Sequence, residues 1–133
     1  MTHLLKLVST LEYLDIESEY ISNKKDFVIN LSTGTVLFQI ISNKMLEINR
    51  IQEKGFGLHL SFDKTHDESI EEIAKFRNKE YSKEFDYHDL DEIPTYQIDL
   101  GTDMKRLEKL VSRIIVDVYE EELETIETDN FEI

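Results

Sequence analysis

The sequence predicts an α+β fold, an antiparallel meander of four to six strands with N-terminal, middle and C-terminal helices. The helices are expected to pack mainly on one face of the sheet as a two-layer sandwich. Two observations favour this class. Short runs that alternate apolar and polar residues fill the first half of the chain after residue 16, and segments with helical spacing flank them. Hydrophobic residues make up 40% of the 133 residues, which is enough for one core.

Three segments carry apolar residues at helical spacing. Thr2 is a candidate cap for a first helix with a leucine stripe that extends to about Leu14. Asp67 or Ser69 is a candidate cap for a second helix. Gly101, Thr102 and Asp103 are expected to end a strand and cap the last helix. The buried sides of the second and third helices are expected to comprise Ile70, Ile73, Ala74 and Phe76, and Met104, Leu107, Leu110, Val111, Ile114, Ile115 and Val118.

The β-branched run Ile114–Val118 leaves an alternative open. Isoleucine and valine favour strands, and Val116 lies off the apolar arc of the predicted helix. The cap and the arc favour a helix over these residues.

Between the first two predicted helices, the residue pattern is typical of strands. The strongest candidate is residues 35–41, which is apolar on both sides and is therefore predicted to be a central strand. The Gly55-Phe56-Gly57 segment is interpreted as a hairpin connection. The remaining strands are predicted at residues 19–22, 27–31, 45–51 and 58–62, and at Tyr96, Ile98 and Leu100.

Two segments are predicted to lack regular structure. Ser82–Pro94 is rich in acids and shows no clear period, so it is interpreted as a surface loop. Residues 1–123 are expected to form a single domain, and residues 124–133 an acidic tail that frays unless Phe131 and Ile133 dock.

The charge is strongly polarised along the chain. Residues 1–62 contain seven acids and six bases, whereas residues 63–133 contain 22 acids and nine bases. Eight acids and no base follow Arg113. The net charge of -14 would repel nucleic-acid phosphates, so a nucleic-acid partner is not expected. A basic protein is the partner that this charge would attract, although a solvated surface that maintains solubility is the alternative.

No pattern indicates catalysis, a cofactor or a metal. The chain has no cysteine, nucleophile elbow, phosphate-binding loop or dinucleotide fingerprint. His59 and Ser61 share a strand face, but no acid can be assigned to orient the histidine. Asp63, His66 and Asp67 are the best hard-cation candidate, yet nothing makes them converge on one point, and the same holds for the pair His88-Asp89. We therefore predict no catalytic residues, no metal site and no cofactor.

Two groups of residues are candidates for binding a partner. An aromatic-acidic segment combines rings that bury area with carboxylates that pair with cations, and an acidic group lies at the end of the last helix. In the alternative interpretation, Tyr81 and Phe85 only pin a loop to the core, and the acidic group is a solvated helix end. The two groups comprise Tyr81, Phe85, Tyr87, Asp89, Asp91 and Glu92, and Asp117, Glu120, Glu121, Glu122, Glu124, Glu127 and Asp129.

These features favour a small cytoplasmic, non-enzymatic module that binds a basic protein. Two biological roles fit such a module, that of an immunity or inhibitor protein and that of a secretion chaperone. A small enzyme or ligand-binding domain with a pocket between sheet and helices is an alternative, and a structural subunit of a larger assembly is another. No signal peptide or membrane-spanning run is evident, so no membrane partner is expected. Homodimerisation is left open.

Overall fold

The computed structural model describes residues 26–46, 55–62, 67–90 and 93–132. These residues form a six-stranded antiparallel sheet and two α-helices, which confirms the α+β class. The strands are β1 (Phe27–Ser32), β2 (Val36–Ser42), β3 (Phe56–Ser61), β4 (Asp86–Leu90), β5 (Ile93–Gly101) and β6 (Glu127–Glu132). The helices are α1 (Asp67–Arg77) and α2 (Met104–Asp117), and short 3-10 helices cover Asn43–Met45, Glu80–Glu84 and Leu123–Thr125.

The strands lie in the order β4-β5-β3-β2-β1-β6. The predicted central position of β2 is confirmed, since β1 and β3 flank it. Its two faces enter different clusters: Phe38 and Ile40 belong to the main core, whereas Ile41 packs with Val28 and Leu46. The chain leaves β3, forms α1 and β4, and returns through β5 to pair beside β3.

The main core lies between one face of the sheet and both helices, and aromatic rings fill much of it. Phe76 of α1 is fully buried, and its ring centroid lies 4.8 Å from that of Tyr96 and 5.1 Å from that of Phe85. The ring centroid of Phe62 lies 5.9 Å from that of Phe76. Burying such rings supplies a large share of the hydrophobic free energy of a small domain.

The last helix forms where the sequence predicts it. The Asp103 carboxylate accepts a hydrogen bond from the Arg106 amide at 3.1 Å, so it caps the helix. Ile114 and Ile115 are fully buried, whereas Val116 is 49% exposed, as the helical arc predicts. The helical interpretation of Ile114–Val118 is thus confirmed through Asp117, because burial of one helix face outweighs the intrinsic strand preference of β-branched residues.

The prediction of a loop over Ser82–Pro94 is wrong, and the segment predicted as a tail contains a strand. Ser82–Pro94 contains the end of a 3-10 helix, all of β4 and the start of β5, and the tail contains β6, which pairs with β1 from Phe27 to Ser32. Both missed strands lie at sheet edges. A strand at an edge gains its backbone hydrogen bonds from one neighbour and tolerates polar residues on both faces, so it lacks the apolar alternation that marks an interior strand.

The glycines near β3 serve close packing and not the predicted hairpin connection, since Gly57 lies inside β3. A Cβ on Gly57 would lie 2.4 Å from the Ile98 carbonyl oxygen. A Cβ on Gly55 would lie 2.1 Å from the Gly101 carbonyl oxygen, and Gly55 also has a φ of 151°. Both positions therefore require the absence of a side chain.

Three predicted elements fall partly or wholly outside the described residues. They are the helix over residues 2–14, the strand over residues 19–22, and most of the strand over residues 45–51, whose first residue, Met45, lies in a 3-10 helix. Within the described ranges, no helix has the length and hydropathy needed to cross a membrane.

Candidate functional site

The aromatic-acidic segment divides into a buried part and an exposed part. Tyr81 and Phe85 are each 8% exposed and belong to the main core. Tyr87 is 46% exposed and Asp89 is exposed, both on β4. Asp91 and Glu92 lie outside the described residues. The surface that this segment offers is therefore the outer edge of the sheet, and only one of its three rings reaches it.

Tyr87 is held in place by a cation. The Arg77 guanidinium carbon lies 5.8 Å from the ring centroids of both Tyr87 and Tyr96, and the Arg77 Nε donates a hydrogen bond to the Tyr96 hydroxyl. The two tyrosine rings lie 5.1 Å apart. Cation–π contact with both rings fixes the orientation of the exposed Tyr87 before any partner arrives.

The direction of the backbone groups of β4 follows from Pro94. The Pro94 carbonyl accepts a hydrogen bond from the Phe62 amide at 3.0 Å, so it points away from β4. Asp89 is the partner of Pro94 in the register between β4 and β5. In an antiparallel ladder such a pair exchanges no hydrogen bonds, and bonded and non-bonded pairs alternate. The amide and carbonyl groups of Asp89 and Tyr87 therefore point outward, away from β5.

Side chains at this edge present both charge and an unpartnered nitrogen. Asp86 is exposed and shares a sheet face with His88, whereas Asp89 lies on the other face with Tyr87. The Nε2 atom of His88 is buried and has no hydrogen-bond partner within the described part of the chain. No strand among the described residues pairs with the outer side of β4. We call Asp86–Asp89 the β4 edge.

The second predicted group lies at the end of α2. Asp117 is half-buried and accepts a hydrogen bond from the Tyr81 hydroxyl at 3.5 Å, which connects the two predicted groups in the interior. Burial, and then the neighbouring Asp117 carboxylate, raise the pKa of the Tyr81 hydroxyl above its usual range. Glu127 and Asp129 lie on β6, at the sheet edge opposite β4, so the structure does not bring them together with Tyr87 and Asp89.

Glu120 reverses the chain after α2. Its φ is 55°, in the left-handed region that favours glycine. The amides of Val118 and Tyr119 both donate to the Ile114 carbonyl, as at a helix C-terminus that closes with such a turn. The Glu120 carboxylate lies 2.9 Å from the Lys75 Nζ.

Beyond this turn the carboxylates reach the surface. Glu121 is half-buried, whereas Glu122 and Glu124 are exposed. Glu127 and Asp129 of β6 are exposed as well and extend the same acidic run. We call residues 120–129 the C-terminal acidic segment. The absence of any base after Arg113 is the sequence signal that places Glu127 and Asp129 in the predicted acidic group.

Asp86 and Arg77 are not among the candidate site residues that the sequence predicts. Asp86 belongs to a segment interpreted as a loop, where no pattern distinguishes it from its neighbours. Arg77 ends α1 and acts through the rings of a distant strand, a contact that no local pattern reveals.

The sheet face opposite the main core carries a polar row. The register aligns Asp129, Asn30, Gln39, His59, Gln97 and Asp86 across all six strands. The Gln39 amide donates to the Asn30 side-chain oxygen at 2.8 Å. Gln97 is 1% exposed, and burial lowers the pKa of His59.

This row explains how His59 and Ser61 relate. The Gln97 amide nitrogen lies 2.8 Å from the His59 Nδ1, and the Ser61 Oγ lies 2.9 Å from the His59 Nε2. When the amide donates to Nδ1, neutral His59 carries its proton on Nε2 and donates it to Ser61. A serine nucleophile needs the opposite tautomer, with Nε2 free to accept the hydroxyl proton. With that assignment, Gln97, His59 and Ser61 form a hydrogen-bond chain.

No group of three metal-ligating side chains converges within the described ranges. Asp63 and His66 of the candidate cation loop lie outside those ranges, and Asp67 opens α1. Comparison with protein-family models, with curated proteins and with solved structures found no match to this chain.

Proposed function

We propose that this protein is a non-enzymatic protein-binding module that engages a basic protein partner. The observation that carries the proposal is the C-terminal acidic segment, where Glu122, Glu124, Glu127 and Asp129 are exposed and no base follows in the sequence. Such a run of exposed carboxylates creates a negative potential that accelerates encounter with a cationic surface.

The position of the acidic segment also supports a role beyond solubility. Negative charge near a helix C-terminus opposes the helix dipole and costs stability. Glu120 and Glu121 occupy this position after α2, and Glu120 adopts a left-handed conformation that also costs free energy for a residue with a side chain. Solubility alone could be served by carboxylates placed where they cost nothing.

The test is capture of partners from an extract of the native organism, with washes at low and at high salt. The bait is the full chain, the double variant Glu122→Lys/Glu127→Lys, or the control Glu71→Lys/Glu80→Lys. All four residues are exposed, and both variants change the net charge equally. We expect one basic protein to be retained at low salt by the wild type and the control and to be lost from the first variant.

Two outcomes would contradict the proposal. One is retention of the same proteins by all three baits, and the other is the absence of any basic protein at low salt. A small-molecule screen by thermal shift would then address the alternative of a ligand-binding domain.

Binding kinetics separate the two biological roles that fit the proposal. A toxin inhibitor of the immunity type is expected to bind one folded partner in a 1:1 complex, with an association rate that falls steeply with salt. A secretion chaperone is expected to dimerise through apolar surface with little salt dependence and to hold an unfolded segment. Light scattering and stopped-flow mixing with the captured partner distinguish them.

A further inference from the structure

We propose that the β4 edge docks an extended, basic segment of the protein partner as a seventh strand of the sheet. This inference rests on the proposed function and specifies where and how the partner is held. Its basis is an outward-facing backbone edge, carboxylates on both faces of that edge, and an exposed ring fixed in place between them.

The backbone supplies the first requirement for strand addition. The amide and carbonyl groups of Tyr87 and Asp89 point away from β5, and within the described chain no strand occupies the positions that they face. Two residues spaced by two along one edge match the repeat of a strand ladder. An added strand would therefore form hydrogen bonds with both residues.

The side chains specify the chemistry of the added strand. Asp86 and Asp89 lie on opposite faces of β4, so each face of an added strand has one carboxylate with which a lysine or arginine can pair. Tyr87 is 46% exposed and is held against Tyr96 and Arg77, so it offers an apolar surface to a neighbouring side chain. The buried Nε2 atom of His88 lies on the face of Asp86 and has no partner among the described residues.

Charge argues against a second copy of this chain as the occupant. Pairing two β4 edges would bring Asp86 and Asp89 of both chains into one short interface, and each chain carries a net charge of -14. Like charges placed across neighbouring strands are destabilising. A basic segment of another protein removes this repulsion and gains ion pairs instead.

The experiment uses the full chain and a synthetic peptide of about ten residues that alternates lysine and valine, a pattern that suits a strand. A lysine-proline peptide of equal length and charge is the control, because proline cannot form a regular strand ladder. Binding is measured by fluorescence anisotropy, and amide hydrogen exchange is measured by NMR with and without peptide. We expect the lysine-valine peptide to bind more tightly and to protect the amides of Tyr87 and Asp89 from exchange.

Two substitutions at one position separate the backbone from the charge. Asp89→Asn removes the carboxylate and keeps the amide hydrogen, whereas Asp89→Pro removes both. Because this amide points outward, proline is compatible with the pairing to β5. We expect Asp89→Pro to bind the lysine-valine peptide about 3- to 10-fold more weakly than Asp89→Asn, the range expected from one lost hydrogen bond. Thermal unfolding of both variants verifies that they are folded.

The inference is overturned if the two peptides bind equally, if the two variants bind equally, or if the amides of Tyr87 and Asp89 are not protected. These results leave the proposed function intact when the captured basic partner still depends on the C-terminal acidic segment. Loss of that dependence, with strand addition still observed, would instead reject the role of the acidic segment.

Discussion

The Tyr119 hydroxyl donates a hydrogen bond to the Leu37 carbonyl at 2.9 Å and so connects the turn after α2 to β2. The register between β1 and β2 shifts beside Leu37, where the pairing passes from Leu31–Phe38 to Ser32–Val36. Leu37 therefore has no partner on β1, and Tyr119 satisfies the carbonyl of this irregular position. The Tyr119 ring also stacks on Phe38 with centroids 5.7 Å apart.

Substitution Tyr119→Phe tests this bond. The ring contacts remain, whereas the Leu37 carbonyl loses its donor, so we expect the free energy of unfolding to fall by about 1 to 2 kcal/mol. Urea denaturation at pH 7 measures the change. A loss below about 0.3 kcal/mol would show that water replaces the hydroxyl without cost.

The same tyrosine predicts a loss of stability at alkaline pH. Burial, and then the charge of Glu72, raise the pKa of Tyr119 above its usual range. Because the folded state holds this proton more tightly than the unfolded state, the contribution is complete below about pH 10 and is lost as the pH rises further. We expect the wild type to lose more stability than Tyr119→Phe between about pH 9 and pH 11, measured by urea denaturation. Parallel curves would contradict this prediction.

His59 predicts the opposite dependence at acidic pH. Burial lowers its pKa, so the folded state favours the neutral ring. Its contribution is present above the unfolded-state pKa of about 6.5 and is lost as the pH falls below that value. We expect His59→Gln to reduce the loss of stability between about pH 7 and pH 5, measured by thermal unfolding. An unchanged slope would show that another group dominates this range.

The close approach of Gly55 to Gly101 predicts a large effect of one methyl group. Gly55→Ala combines a strained φ with an overlap against backbone, so we expect a loss of about 3 kcal/mol. Gly34→Ala is the control, because its φ of 90° is also positive but no atom lies within 4 Å of the added Cβ. We expect this control to lose about 1 kcal/mol. Equal losses in urea denaturation would assign the whole effect to φ.

Glu120 offers a stabilising substitution. Glycine relieves the left-handed strain and removes a negative charge from the end of α2, and the exposed ion pair with Lys75 contributes little. We expect Glu120→Gly to raise the free energy of unfolding by up to about 1 kcal/mol. Glu122→Gly is the control and should be neutral or destabilising, since Glu122 is extended with a φ of -85°. A thermal shift of the same sign in both variants would contradict the explanation.

The elements that the sequence predicts correctly are those whose side chains are buried in a regular pattern. The patterns of β2 and α2 identified both elements because their apolar residues enter the core at regular spacing. The edge strands β4 and β6 gave no such signal, so Tyr87 and Asp89 were recognised as candidate binding residues without the strand that positions them. Tyr81 and Phe85 carry the same residue types as Tyr87, and only the three-dimensional path of the chain shows that they are buried.

The polar row that contains Asn30, Gln39, His59 and Gln97 has a consequence for how the strands find one another during folding. Sliding any interior strand by one residue would turn its polar side chain into the aromatic core and its core residue outward. The polar residue would then lose its hydrogen bonds to the row and enter an environment without water, at a cost of several kcal/mol. The polar side chain of each interior strand thus makes a shifted register less stable than the native one. The residues that contribute least to hydrophobic burial therefore specify the alignment of the strands.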